Sequence, residues 1–207
     1  KSLGITSALE LSGASVCVQT GTTTELNLSD YFRANDMDLN AVVFESANEA
    51  IQAYDAGRCD TFTTDASGLY AERRKLPNPD DSMILPEVIS KEPLGPVVRQ
   101  GDDEWFNIIK WVNNALVNGE ELGVTQANVE EMKSSDNPEI KRLLGTEGAY
   151  GEAIGLDNGW AAQAIKGVGN YGEIFDRNIG PDTPLAIERG INALWTDGGL
   201  QYGIPVR

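Results

Sequence analysis

Apolar positions along residues 13–89 switch repeatedly between short continuous runs and a helical spacing. GASVCVQ (13–19) reads as a strand, TTTELNLSDYFRAN (22–35) as a helix with Leu26, Tyr31 and Phe32 on its apolar side, and LNAVVFE (39–45) as a second, largely buried strand. SANEAIQAYDAG (46–57) follows as a helix. Ser46 is its N-cap candidate with Glu49 three positions on; Ala47, Ala50, Ile51 and Tyr54 share one face, and Gly57 stops it. CDTFTTD (59–65) predicts a third strand, ASGLYAERRKL (66–76) a third helix and SMILPEV (82–88) a fourth strand. Strands alternating with helices in this way predict an α/β layer around a mainly parallel sheet.

The pattern changes at SKEPLGPVVRQGDDEW, where prolines and a glycine flank a short apolar run; residues 90–98 read as a linker or a crossing strand. DDEWFNIIKWVNNALVNGEEL (102–122) is a long amphipathic helix whose first turn is acidic, as the helix dipole favours. Further helices are expected over TQANVEEMK, PEIKRLL, DNGWAAQAIKGV and TPLAIERGINALW, separated by Gly, Pro and Asp turns. Trp105, Trp111, Phe106, Ile108 and Ile109 are expected to pack as core residues of the long helix. The organisation is thus an α/β region over residues 10–92 and a mostly helical part over 93–207.

Charge narrows the partners. The 207 residues carry 16 Lys plus Arg against 32 Asp plus Glu, a net charge of −16. Such a surface repels phosphate backbones, and no basic run offsets it, so nucleic acid is excluded as an expected partner. No apolar stretch reaches the roughly 20 residues needed to cross a bilayer. The opening KSLGITSALEL lacks both an initiator Met and a basic region followed by an apolar one, which suggests a processed or trimmed product. Histidine is absent. Its absence removes the commonest general base and the usual transition-metal ligand, and it counts against an enzyme without excluding one. No cofactor is expected. Cys17 and Cys59 lack the CxxC spacing of a zinc or redox motif, leaving a disulfide and two reduced core thiols both open.

Two strand ends carry candidate chemistry. In VCVQTGTTTEL (16–26) the first strand breaks at Gly21, and three threonines lead into a helix start whose free N–H groups and partial positive charge suit an anion. Thr22 and Thr23 add hydroxyls. A tight βα loop with a threonine cap is the bland alternative. Asp65 ends the third strand at the same carboxyl edge, where ligands of α/β sheets bind, although an Asp there also serves as an N-cap. Together an anion-accepting corner and a carboxylate suit a zwitterion. GVGNYG (167–172) matches GxGxxG but follows the helix-like WAAQAIK, where a dinucleotide site needs a strand.

The strings VCVQTGTTTELNLSDYF, GRCDTFTTDASGLYAERR, ILPEVISKEPLGPVVRQGDDEWFNIIKW, GNYGEIFDRN and RGINALWTDGGLQYGIPVR resemble the periplasmic amino-acid-binding proteins of ABC transporters, extracellular solute-binding family 3, and within it the general L-amino-acid binding subgroup. The resemblance covers nearly the whole chain. It implies two α/β lobes of the type II periplasmic-binding-protein fold closing on a ligand cleft. Residues from about 13 to 92 would form the second lobe, and PLGPVVRQ would carry the chain back to the first. It implies that the turn at Gly21, Thr22 and Thr23 contacts a ligand α-carboxylate and that Asp65 holds the α-ammonium. Gln19 and Thr24 would line the side-chain pocket. A Cys17–Cys59 disulfide is implied too, in keeping with an oxidising periplasm. Such family members begin with about a hundred residues of first lobe, which this chain would lack.

The reading that follows is a binding module for polar L-amino acids, periplasmic, passing its ligand to a membrane permease. Its alternatives are a truncated fragment that binds nothing, or assembles with itself because the first lobe is incomplete, and an enzyme on this fold such as a dehydratase.

Overall fold

The computed structural model describes residues 3–207, which fall into two compact units divided between Leu94 and Gly95.

The first unit is α/β. Its strands β1 (Ser15–Gln19), β2 (Asn40–Phe44) and β3 (Thr61–Phe62) form a parallel sheet in the order β2-β1-β3. Val16, Cys17 and Val18 are buried on both sides, as a central parallel strand requires. Cys17 pairs with Val42 on one side and Phe62 on the other. Both ladders run slightly past the strands: the Thr20 amide donates to the Phe44 carbonyl at 2.9 Å and the Thr63 amide to the Cys17 carbonyl at 3.1 Å. Helix α1 (Thr23–Ala34) covers one face by burying Leu28 and Phe32 against Val16 and Val18. Helix α2 (Ala47–Asp55) covers the other, placing Ala50 and Ala53 against Cys17 and Cys59. Cys17 and Cys59 form a disulfide. Helix α3 (Ala66–Arg73) follows β3.

Three expectations change here. Leu26 is 66% exposed, and the buried stripe of α1 is Leu28 and Phe32, four apart on one face. Strand β2 is an edge strand, so Val43 is 49% exposed rather than largely buried. SMILPEV joins no ladder. Pro86 lacks the N–H that a ladder needs, and side chains hold the segment instead: Leu85 and Ile89 pack against the Val16 cluster, while the Ser7 hydroxyl and Ala8 amide donate to the Glu87 carboxylate.

The second unit is helical: α4 (Asp103–Glu121), α5 (Val129–Met132), α6 (Pro138–Leu144), α7 (Trp160–Val168) and α8 (Tyr171–Asn178). Its core gathers Ala115, Val124, Val129, Ile140, Leu144 and Ile165, with Trp111 partly buried against it. Trp105 and Phe106, expected inside, are about half exposed at the start of α4. Helix α8 is the element the apolar spacing does not predict. Its signature is the capping box of Asn170 and Glu173, in which each side chain accepts from the other's backbone N–H. TPLAIERGINALW does not form the expected helix. Ala186 and Gly190 take positive φ (51° and 49°), and Arg189 turns to a bidentate pair with Glu120 at 2.9 and 3.1 Å, its guanidinium over the rings of Tyr171 and Phe175. GVGNYG spans the end of α7 and the start of α8, with no strand before it, so a dinucleotide loop is ruled out by its context.

Candidate functional site

The strand order 2-1-3 creates a switch point. The chain leaves β1 toward β2 on one side, then crosses to β3 on the other, with α1 and α2 on opposite faces. Parallel sheets bind ligands outside the carboxyl ends of their strands at such a point, where the diverging connections leave a crevice. A cavity of about 220 Å³ lies there, lined by Gln19, Thr22, Thr23, Thr24, Ala47, Phe62, Thr63, Thr64 and Asp65. Five of the six positions singled out from the sequence as ligand-binding therefore share one cavity. Gly21 is not among its lining residues.

Each wall has a local cause. Thr22 is the N-cap of α1: its hydroxyl accepts from the Glu25 amide at 3.3 Å and donates to the Gln19 carbonyl at 2.8 Å. The amides of Thr23 and Thr24 stand in the first turn, where no carbonyl one turn earlier exists to accept from them. Gly21 makes the turn by adopting φ +71°, a conformation open to glycine, and its amide donates to the Glu25 carboxylate at 2.7 Å. Ala47 is the first residue of α2, whose N-cap is Ser46. Asp65 occupies the N-cap position of α3 yet makes no side-chain cap hydrogen bond, and it is half-buried. The starts of three helices thus border one crevice, each presenting the positive end of its dipole.

The lining contains one carboxylate, from Asp65, and neither Lys nor Arg. A ligand anion would be received here by N–H dipoles and hydroxyls rather than by a cation, and a ligand cation by Asp65. The threonines Thr63 and Thr64, together with Phe62 and Ala47, were not anticipated as lining. They belong to the same strand-end segment, TFTTD, and to the capped helix start that the sequence does reveal. A second, more open cavity of about 530 Å³ runs between β2 and α2, lined by Val43, Phe44, Glu45, Glu49, Gln52 and Arg58 among others. Among the described residues no group of three or more acidic or cysteine side chains is placed to hold a metal ion, and no helix is long and apolar enough to cross a membrane.

Comparison with known proteins bears on this geometry. No family model matches the chain. It is 64% identical over its full length to the general L-amino acid-binding periplasmic protein AapJ of Rhizobium johnstonii, covering 61% of that protein. It is 57% identical to the glutamate/glutamine/aspartate/asparagine-binding protein BztA of Rhodobacter capsulatus, again over the whole chain and 62% of the relative. Over its whole length the chain is homologous to periplasmic amino-acid-binding proteins. A solved periplasmic binding protein of Brucella ovis, an ABC transporter protein with glutathione bound, superposes with a TM-score of 0.92 at 66% identity, over 99% of this chain and 64% of that one. The α/β fold is therefore that of a periplasmic binding protein. The chain spans about three fifths of the length of the curated relatives it matches.

Proposed function

We propose that the chain serves as a substrate-binding component of an amino-acid ABC importer, and that the crevice at the carboxyl edge of its sheet holds the α-carbon head of polar L-amino acids. In this reading the N–H groups at Thr22–Thr24 and the hydroxyls of Thr23 and Thr24 receive the α-carboxylate, Asp65 receives the α-ammonium, and Gln19 and Thr24 border the side chain. Residues 10–92 are one lobe of a two-lobed protein, and residues 93–207 are the return to the other lobe with a helical extension. The site acts in the periplasm, without a cofactor, and delivers its ligand to a membrane permease. The observation that carries the reading is the meeting of Thr22, Thr23 and Asp65 around one crevice. The relatives are named as binding proteins, which favours binding over catalysis.

Calorimetric titration of the complete protein with the common L-amino acids is the test. Binding of at least one is expected, and no heat with any rejects the reading. Asp65→Ala should weaken binding by about tenfold or more, since a hydrogen bond to a charged group contributes roughly 1.5–3 kcal/mol. Unchanged affinity removes Asp65 from the site.

The amino acids and the glutathione named for the similar proteins share one chemical unit. Glutathione is γ-linked, so its glutamyl α-carbon keeps a free ammonium and a free carboxylate, as an amino acid does. We infer that the ligand class here is any molecule with that head, free or γ-linked, because Asp65 and the α1 start lie on the same crevice and both groups must be met. Glutathione and γ-L-glutamylglycine should compete with L-glutamate, whereas α-L-glutamylglycine, its α-carboxylate consumed by the peptide bond, should not. Equal competition by the α- and γ-linked dipeptides overturns this specificity.

A further inference from the structure

We propose that Glu25 is the positioning residue of the carboxylate corner: its side chain folds back over the turn before α1 and fixes the Thr23 and Thr24 amides toward the crevice. The proposal rests on the site reading above and deepens it.

Glu25 Oε2 accepts from the Gly21 amide at 2.7 Å and from the Thr20 hydroxyl at 3.3 Å. In return, the Glu25 amide donates to the Thr22 hydroxyl at 3.3 Å, and that hydroxyl donates to the Gln19 carbonyl at 2.8 Å. The closed set of bonds ties the last residue of β1 to the first turn of α1. It resembles a capping box in which the acidic side chain reaches one residue further back, to the position before the N-cap. A shorter turn held only by Thr22 would leave Gly21, at φ +71°, free to rotate its neighbouring peptide planes.

This arrangement carries two consequences for recognition. The Gly21 amide is already used, which separates it from the amides that remain for a ligand and agrees with its absence from the crevice lining. A carboxylate also stands within the turn that is meant to receive a ligand carboxylate. Since the lining holds no Lys or Arg, the negative charge of Glu25 is not offset from within the crevice. Like charge disfavours the ligand anion, so the carboxylate acts here through its geometry: a side chain accepting from two donors at once holds the corner that the ligand needs. Glutamine preserves an acceptor of the same length without the charge, and alanine removes both. The pair of substitutions separates position from electrostatics.

The test measures how strongly the complete protein prefers L-glutamine over L-glutaminamide, which differs by having a neutral amide in place of the α-carboxylate. Glu25→Ala should shrink that preference by about tenfold, the size of one charge-assisted hydrogen bond misplaced, while Glu25→Gln should keep it or raise it. A preference unchanged in Glu25→Ala overturns the proposal, even if both ligands bind more weakly, because equal weakening is a merely structural effect. Equal loss in both variants also overturns it, because charge and not position would then be responsible. Asp65→Ala, run in parallel, tests the underlying site. If it leaves L-glutamine affinity intact, the site itself is misassigned; if it weakens binding while Glu25→Ala keeps the preference, only the role of Glu25 fails. Thermal unfolding of each ligand-free variant confirms that a folded protein is being compared, and Glu25→Gln provides a second variant should Glu25→Ala not fold.

Discussion

Residues 15–73 and residues 103–178 solve the problem of buried polar backbone by different means. In the α/β unit, a central strand takes hydrogen bonds from both sides, helices cover both faces, and a disulfide crosses from β1 to the segment before β3. In the helical unit each helix satisfies its own interior, and side chains cap helix starts, among them Asn170 with Glu173 on α8 and Asn137 on α6. The difference shows why the candidate site lies where it does. Parallel strands point all their carboxyl ends, and the helix starts that follow them, to one edge, whereas a helical bundle distributes its helix ends over several turns.

If the disulfide is what joins the strands of the first unit, breaking it should produce the largest effect. It closes a separation of 42 positions, for which the chain-entropy relation gives about 4 kcal/mol. Cys17→Ser with Cys59→Ser is expected to lower the unfolding free energy by roughly that amount, read from a denaturant titration, with the loss borne by residues 15–62 in hydrogen exchange and little change over residues 103–178. Equal loss of protection in both units would break the contrast.

The corresponding device in the second unit is smaller. Asn170 is buried, caps α8, and donates through its side-chain amide to the Val124 carbonyl at 2.9 Å. Asn170→Ala should cost about 1–2 kcal/mol, combining a lost cap with an orphaned carbonyl. Asn170→Asp, which keeps the cap acceptor but not the donor, should recover part of it. A loss in Asn170→Ala of under about 0.5 kcal/mol, the size of an ordinary surface change, would show that the cap is not what holds α8.

The same contrast sets how much could be read from the chain. The βα units of residues 13–73 follow from runs such as VCV and from stops such as Gly57, because a buried parallel strand must be apolar throughout. The crevice was legible too, since GTTT and TFTTD end neighbouring parallel strands. What escaped was tertiary. Nothing local marks β2 as an edge strand, so Val43 was expected inside. Leu26 fits an apolar spacing that only packing on Val16 and Val18 could correct. Pro86 argues against a fourth strand because it brings no N–H to a ladder, whereas the apolar run around it reads as one. Residues 183–195 have a helical spacing of apolar residues, and only the partners of Arg189 explain why the chain turns there instead. The role of Glu25 was hidden because a glutamate in a first turn is ordinarily a dipole partner, and its return to the Gly21 amide depends on how the turn folds.

The gentlest way to sharpen the comparison is to ask what holds the surface carboxylates of each unit. In the first, Asp60 is held below the usual carboxylate range by the Ser15 hydroxyl and then the Ser15 amide, and Glu87 by the Ser7 hydroxyl and then the Ala8 amide. In the second, Glu130 is lowered to about 2, first by the Lys133 ammonium and then by that of Lys166, each at 2.8 Å. All three are depressed in the folded state, so each favours folding above the ordinary carboxylate range. That contribution fades as pH falls through it toward the folded value, for Glu130 from about 4.5 down to about 2. The donors differ in charge, and salt distinguishes them. The Debye length shrinks to about 3 Å at about 1 M salt, which screens exposed ammonium–carboxylate attraction while leaving hydrogen bonds from neutral hydroxyls and amides largely intact. In an NMR titration of side-chain carboxyls, the Glu130 midpoint should therefore rise on going from about 0.05 to about 1 M salt, whereas those of Asp60 and Glu87 stay nearly fixed. Lys166→Ala should raise Glu130 partway at low salt, with Lys133 retaining the remainder. Parallel movement of all three would mean that a common field of the acidic surface, rather than these named donors, sets their protonation.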